Sequence, residues 1–588
     1  MSNPSFEIEN PEVASRCFLH ALWRNNRFLS RGLNQRELRM MNYMDYLTDL
    51  PDWEDLVFEE SYITKWKEEV ENLNFDNEGL GDVYMSDQMF EACVEELRDK
   101  AELAKKTGFV NVLDAEVAVT KSDTAIPESL TDALITAIKP LEDIPEKYKD
   151  WYPESDNMVL ELVDPCLYPI DFLDTRILRR GKVPLQGCSS IICEGDDNAY
   201  WEREILHGGP IIWAPYQYLP SDISWVDNKP KITTYINNLH PEYHSDLYKV
   251  FEEVIDATVP LWEECLFRRR DVFSPRIDLC SEGDKDFYIP EGVQYSPPDE
   301  NINVGDEIET YRNTILYQDW FDDHKILRWP EPRANCPRQR RPDSKPNLKK
   351  DFPSGVQIIF KLTNIHLTPE KPVYSGKGWL VEGALNDRIV ATALYYYEDE
   401  NIMDSKVSFR QALDSESIRI IPPSNQYESL ERYLGVMSDE EPFQKLGDVL
   451  TPEGRLLAFP NVFQHKMKPL ELRDPTKPGY QKILTMFLVE PSLPVLSTAV
   501  VPPQQRDWWV SEVRKIRPFC SLPMEVFYII TSFVVGHPMD LEYARATRIS
   551  IIYDRQWTNF DWEMEIGQDT FDFQEHHRTQ EPGDVGLE

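Results

Sequence analysis

The feature that most restricts the fold lies between residues 353 and 504. Val356 to Thr368 (VQIIFKLTNIHLT), Arg388 to Tyr397 (RIVATALYYY), Arg455 to Phe459 (RLLAF) and Ile483 to Val489 (ILTMFLV) are rich in β-branched, aromatic and leucine side chains, and Gly, Pro and Asn bound them. No helical period separates these runs, so a β-sandwich or barrel is expected. A chain of 588 residues also exceeds what one core normally serves, so further layers must flank it.

The flanks read differently. Asn34 with Glu37 three residues on is a helix-start signal, and Leu38, Met41, Met44 and Leu47 follow near helical spacing until Pro51. Ser86 opens a second helix closed by Gly108, and a third run, Leu130 to Ile138, is expected to stop at Pro140. Residues 1–140 are therefore expected to be a helical N-terminal region. Residues 141–327 read as a mixed α/β packing region, with a strand at 231–236 (KITTYI) and a helix beginning at Pro241 and running through Leu247, Phe251 and Ile255. From 328 to 352, prolines alternate with Arg333, Arg338, Arg340, Arg341, Lys345, Lys349 and Lys350. This is the pattern of an exposed linker, although such a strip would also suit an acidic face of the same molecule or an anionic partner. Residues 505–560 turn helical again, and 561–588 form an acidic tail expected to fray after Trp562.

Charge bears on partners. With 103 acidic against 62 basic residues, net −41, most of the surface repels phosphate backbones and anionic lipid, so nucleic-acid and membrane partners are not expected. Nine dispersed cysteines, of which the nearest pair, Cys188 and Cys193, lacks a metal or redox spacing, read as reduced thiols. No secretory leader is evident, and the longest apolar stretch, Met524 to Val535, is too short for a bilayer and suits a buried helix. The expected location is the cytosol, with the nucleus open.

Two small constellations fall away on their own chemistry. His240 and His244 have the spacing of a zinc pair on a helix, but no third ligand stands at a recognisable distance in sequence. His207-Gly208-Gly209 faintly resembles an oxyanion loop, yet the nucleophile elbow G-x-S-x-G is missing.

The remaining candidates lie in the β region: Gly378-Trp379-Leu380-Val381-Glu382-Gly383 and the segment Gly454 to His465 (GRLLAFPNVFQH). Non-haem iron oxygenases hold Fe(II) with two histidines and one carboxylate on one face. Glu382 and His465, 83 residues apart, have the layout of the second and third of those ligands. The chain resembles, nearly end to end, the fungal family catalogued as domain of unknown function 4246. The resemblance is carried by KITTYINNLHPEYHSDLY (231–248), NIHLTPEKPVYSGKGWLVEGALNDRIVATALYYYEDENI (364–402), GRLLAFPNVFQHKM (454–467) and DPTKPGYQKILTMFLVEP (474–491). It implies an α+β protein with a double-stranded β-helix core of the jelly-roll or cupin-like kind, helical N- and C-terminal layers, and Fe(II) and 2-oxoglutarate as cofactors.

This chain departs from the family pattern at two places. The family's W-H-x-E-G reads here with Leu380 in the histidine position, and the basic residue expected at 481 is Gln481. A neutral amide does not replace a guanidinium fork for a carboxylate, and Lys482 beside it points to the other face of a strand unless the register slips. His366, on the preceding strand, is the one nearby substitute for the missing histidine. The resulting expectation is a degenerate oxygenase-like pocket, a weakly active or silent pseudoenzyme that binds a small molecule or protein through the old site. The alternative is an active non-haem iron oxygenase, an oxidoreductase of the hydroxylase type, with an altered ligand set. Glu382 and His465 are the expected metal ligands, and Gln481 and Lys482 the expected receivers of the oxo acid.

Overall fold

A computed structural model describes residues 17–23, 27–70, 84–191, 214–268, 275–277, 287–296, 307–327, 329–332, 345–414, 431, 433–436, 441–534 and 538–568. Helix α1 (Gln35–Leu47) starts where Asn34 turns the chain, its side chain accepting a hydrogen bond from the Glu37 amide that the first turn leaves unpaired. Helix α2 (Asp87–Thr107) is capped likewise by Ser86 and ends at Gly108, whose φ of +78° an L side chain rarely adopts. Strands β1 (Val110–Val112) and β2 (Val119–Ser122) follow inside the region expected to be helical. Helix α3 (Glu128–Glu142) then runs through Pro140 instead of stopping there. That proline lies in its last turn, where little of the helical ladder remains to be broken.

After β3 (Val159–Val163) come β4 (Ser221–Val226) and β5 (Lys229–Ile232). The strand expected at 231–236 ends at Ile232, because the next residues bond locally to Asp222 and Ser221. Helix α4 (Ser245–Cys265) begins four residues after Pro241, which lies in a turn. The β region supplies β6 (Val356–Leu367), β7 (Val373–Tyr374), β8 (Ile389–Glu400), β9 (Lys406–Ala412), β10 (Phe443–Leu450), β11 (Leu456–Pro460), β12 (Gln464–Met467), β13 (Leu470–Glu471) and β14 (Gly479–Val489). Helices α5 (Arg506–Lys515), α6 (Met524–Ser532) and α7 (Leu541–Gln568) complete the described chain.

The protein is α+β, with antiparallel sheets. The larger sheet has the order β1-β2-β11-β8-β14-β6-β4-β5, with β3 also paired to β6. A three-stranded sheet has the order β10-β9-β12. Alternation along the strands splits the large sheet into two faces. Ile358, Phe360 and Leu362 of β6 pack outward with α3 and α4, and Phe360 stacks on Phe251 with 5.2 Å between ring centroids. Ile365, Leu394, Tyr396, Leu457 and Phe459 face inward and pack with Val407 and Phe409 of the small sheet. Covering both faces explains why β8 is buried over nine consecutive residues instead of alternating.

Two expectations for the C-terminal part fail. Helix α6 is not buried. Only Phe527 and Thr531, one turn apart, face inward, while Met524, Val526, Tyr528, Ile529 and Ile530 are exposed. The chain does not fray at Trp562 either: α7 continues to Gln568, because Trp562 and Ile566 are buried with Ala21, Leu22 and Trp23. The described part of the basic segment reaches an acidic face of the same molecule, with Lys345 paired to Glu264 and Lys349 to Asp256 at 2.9 and 2.8 Å. Among the described residues, no helix is long and apolar enough to cross a membrane.

Candidate functional site

Glu382 and His465 meet. His465 lies on β12 opposite Phe409, and on its other side it exchanges both backbone hydrogen bonds with Leu380, at 3.1 and 3.0 Å. A two-residue step beyond Leu380 returns Glu382 to the same side of the chain, and His465 Nε2 stands 3.3 Å from Glu382 Oε1. The imidazole is nearly buried against Phe459, 4.9 Å between ring centroids, and its Nδ1 has no hydrogen-bond partner among the described residues. Burial pushes the Glu382 carboxyl upward, but His465 outweighs this, with help from Lys361 and Lys377, and holds it below the usual carboxylate range.

The segment carrying Glu382 is fixed from two sides. The fully buried Asn461 side chain accepts from the Glu382 amide and donates to the Glu382 and Ile389 carbonyls, so one amide satisfies three backbone groups. Gly383 follows at φ +76°, and a Cβ there would lie 2.8 Å from Ile389 Cδ1. Asp387 then accepts from the Ala384 and Tyr218 amides and pairs with Arg555 of α7 at 2.7 Å. One turn on, Asn559 accepts from the Val381 amide at 2.8 Å, and Glu563 takes Arg410 and Gln464, the neighbour of His465, both at 2.7 Å.

The register locates the cations around this pair. Phe459, against which His465 packs, pairs with Thr392 and through it with Phe487. The next inward rung is Leu457, Leu394, Thr485 and Lys361. Lys361 pairs with Glu161 at 3.1 Å, and its ammonium lies 5.8 Å from the centre of the Tyr152 ring, over which Lys377 sits at 3.9 Å. Burial lowers the Lys377 pKa and the charge of Lys361 lowers it further; among the described residues Lys377 has no ion pair.

The model for a protein family of unknown function, DUF4246, matches residues 87–512, and that family's N-terminal domain model matches 4–69. The chain belongs to this family. No curated protein matches it. Among solved structures it is similar to IDO from Bacillus thuringiensis (12% identity, TM-score 0.15, 23% of this chain and 47% of that one). It is also similar to the Fe(II)/(alpha)ketoglutarate-dependent dioxygenase TqaL (16%, 0.14, 23% and 43%) and to a bsmA homolog from Methylobium petroleophilum PM1 (14%, 0.14, 29% and 58%). The matched part spans about half the length of each of those proteins, and scores this low do not establish a shared fold.

The DUF4246 chain keeps the other sequence candidates away from the pair. Gln481 is buried three inward rungs from Phe487, roughly 20 Å along β14, and donates to Asp399 and Ser405 at 3.0 and 2.8 Å. Lys482 projects to the opposite face and pairs with Glu142 and Glu398. His366 shares that outer face, opposite Tyr480 and edge-on to Trp151, so a shift of rotamer does not bring it to Glu382. His240 bonds Ser189, stacks on Tyr243 and meets Trp508 edge-on. Among the described residues, no three His, Cys, Asp or Glu side chains converge as a metal site. His207, Gly208 and Gly209 lie outside the described residues. Sequence reasoning missed Asn461, Lys361 and Lys377. Asn461 stood inside a quoted motif, between a buried strand and the histidine, where a wholly buried amide is worth asking about.

Proposed function

We propose that this chain carries an oxygenase-type double-stranded β-helix whose metal position has lost one donor, and that the hollow now binds a small acid without running oxygenase chemistry at an ordinary rate. The strand pairing supports the fold reading. Taking the 380 segment as the second strand, the pairs are nested: β6 with β14, 380 with β12, β8 with β11, and β9 with β10. That nesting is what winding one long hairpin into a barrel produces.

The observation that carries the reading is the 3.3 Å pair of Glu382 and His465 with Leu380, a side chain without a donor atom, across the backbone from the imidazole. Iron of this class takes two imidazoles and a carboxylate, and the residues here supply one of each. Among the described residues they do not fit the full set of ligands that such iron requires. Lys377, which lies over Tyr152 and has no ion pair among the described residues, is the group suited to receive a carboxylate.

Anaerobic Fe(II) calorimetry on the wild type and Leu380→His tests this. The restored imidazole is expected to tighten Fe(II) by about 10-fold or more, since changes even one layer out cost that much. Tight Fe(II) binding by the wild type, with succinate released from 2-oxoglutarate once dioxygen is admitted, would establish the active-oxygenase reading in its place. In the same experiments Lys377→Met is expected to remove any stabilisation of the protein by 2-oxoglutarate; an unchanged melting shift would exclude this lysine as the acid receiver.

A further inference from the structure

Helix α7 is apolar on two opposite sides. One side holds Ala544, Ile551, Trp562 and Ile566, all buried, with Arg548 and Arg555 between them. The other holds Ile549, Tyr553, Trp557, Phe560 and Met564, each between 47% and 59% exposed. These five are 4, 4, 3 and 4 residues apart. At about 100° of turn per residue they fall within an arc of about 80°, roughly opposite the buried side. Such a rhythm makes the seam along which two helices interlock, and a helix apolar on both sides is normally covered on both.

Charge is scarce on the outer side. The exposed residues beside the stripe are Ala546, Ser550, Gln556 and Asp561, so one carboxylate stands among nine positions of a chain that is 28% charged. Aromatic and Met side chains with few charges are the composition of an interface centre. The stripe also matches itself when reversed. A two-fold axis between Gln556 and Trp557 sets Ile549 against Met564 of a second copy and Tyr553 against Phe560, because the members of each pair lie equally far from the axis. Reversal further brings the positive end of each helix beside the negative end of the other.

We infer that the chain associates with a second copy of itself through the outer side of α7, the two helices running antiparallel about that axis. The exposed halves of five large side chains come to about 500 Å² per copy. About 1,000 Å² is then hidden in all, the size from which a specific interface holds. The chain's own continuation is a poorer occupant: residues 569–588 bring four large apolar side chains, Phe571, Phe573, Val585 and Leu587, among six acidic residues.

Sedimentation velocity of the full chain from about 1 to 100 µM, in about 0.15 M salt to screen the repulsion between two acidic bodies, tests this. A monomer–dimer equilibrium is expected, weakened about 10-fold or more by Trp557→Glu, which buries a charge at the centre of the contact. Thermal melts of the dilute proteins check that this exposed position accepts the change without loss of the fold. Ile549→Asp and Met564→Lys are each expected to weaken the dimer. The double variant sets Asp against Lys twice in the antiparallel pairing alone, and is expected to recover most of that loss. A chain that stays monomeric to about 100 µM, a dimer that Trp557→Glu leaves unchanged, or a double variant no better than its singles would each overturn the inference. So would a dimer that forms only after residues 569–588 are removed, since the tail would then be the occupant. None of these outcomes depends on Glu382 or His465.

Discussion

Leu380 and His465 show how much one side chain decides. Their mutual backbone bonds hold whatever occupies position 380 beside the imidazole, so the chemistry at that point is set by the identity of the residue. Identity of that kind is legible in the sequence. The sequence does not reveal where a position lies along the sheet: Gln481 reads as adjacent chemistry, yet three rungs of sheet separate it from the histidine's level. The acid beside it has its own consequence. Burial first, then the nearby Glu453, raises the Asp399 pKa to about 6, against the bond from Gln481 that lowers it. The native state therefore holds this proton more firmly than the unfolded chain. The stability from it is complete below about pH 4 and is lost as pH rises through about 6. Asp399→Asn keeps an acceptor for Gln481 and, since solvent screens this partly exposed group and reduces the effect, is expected to stabilise the protein by on the order of 1 kcal/mol at most at about pH 8, with the gain vanishing near pH 4. Thermal melts of both forms across that range check it; a gain that is the same at every pH would rule the linkage out.

At the scale of elements, the long C-terminal helix does more than cover the sheets. Arg555, Asn559 and Glu563 recur at one-turn spacing on α7 and reach Asp387, Val381 and the Arg410 and Gln464 pair. Asp387 is wholly buried and Arg555 nearly so. Removing one member leaves the other charged and unmatched, so Arg555→Ala is expected to cost about 3–5 kcal/mol in chemical denaturation. Arg555→Ala paired with Asp387→Asn, which removes the charge and keeps an acceptor oxygen for the amides that Asp387 caps, should recover part of that loss. If the double variant is no more stable than Arg555→Ala, the charge argument is wrong. The helix was legible in the sequence as helix, but its length was not: Trp562 and Ile566 look like a polar tail's stray apolar residues until the N-terminal cluster around Trp23 is seen to cover them. Strands β9 and β10 went unread for a similar reason. KVSFRQA and FQKLGDVL carry too many polar residues for a strand signal in isolation, and their pairing with each other and with β12 supplies what composition lacks.

At the scale of the molecule, 41 excess negative charges repel one another in the compact state more than in an extended one. Added salt screens that repulsion over about 10 Å at 0.1 M. The melting temperature is accordingly expected to rise between about 20 and 300 mM NaCl, by a few degrees; a fall would mean that the native ion pairs outweigh the net charge. The layered architecture was readable in outline, since helical period, basic proline-rich stretch and β runs succeed one another along the sequence. The surprise is how the layers share parts: β1 and β2 extend the central sheet from within the N-terminal helical region. The same sharing governs how the molecule can be divided. A fragment ended at residue 512, where the longer family match stops, would keep Glu382, His465 and Asn461 and discard the three residues of α7 that brace their segments. Domain limits drawn from sequence similarity and limits that preserve a working shape are, in this protein, two different lines.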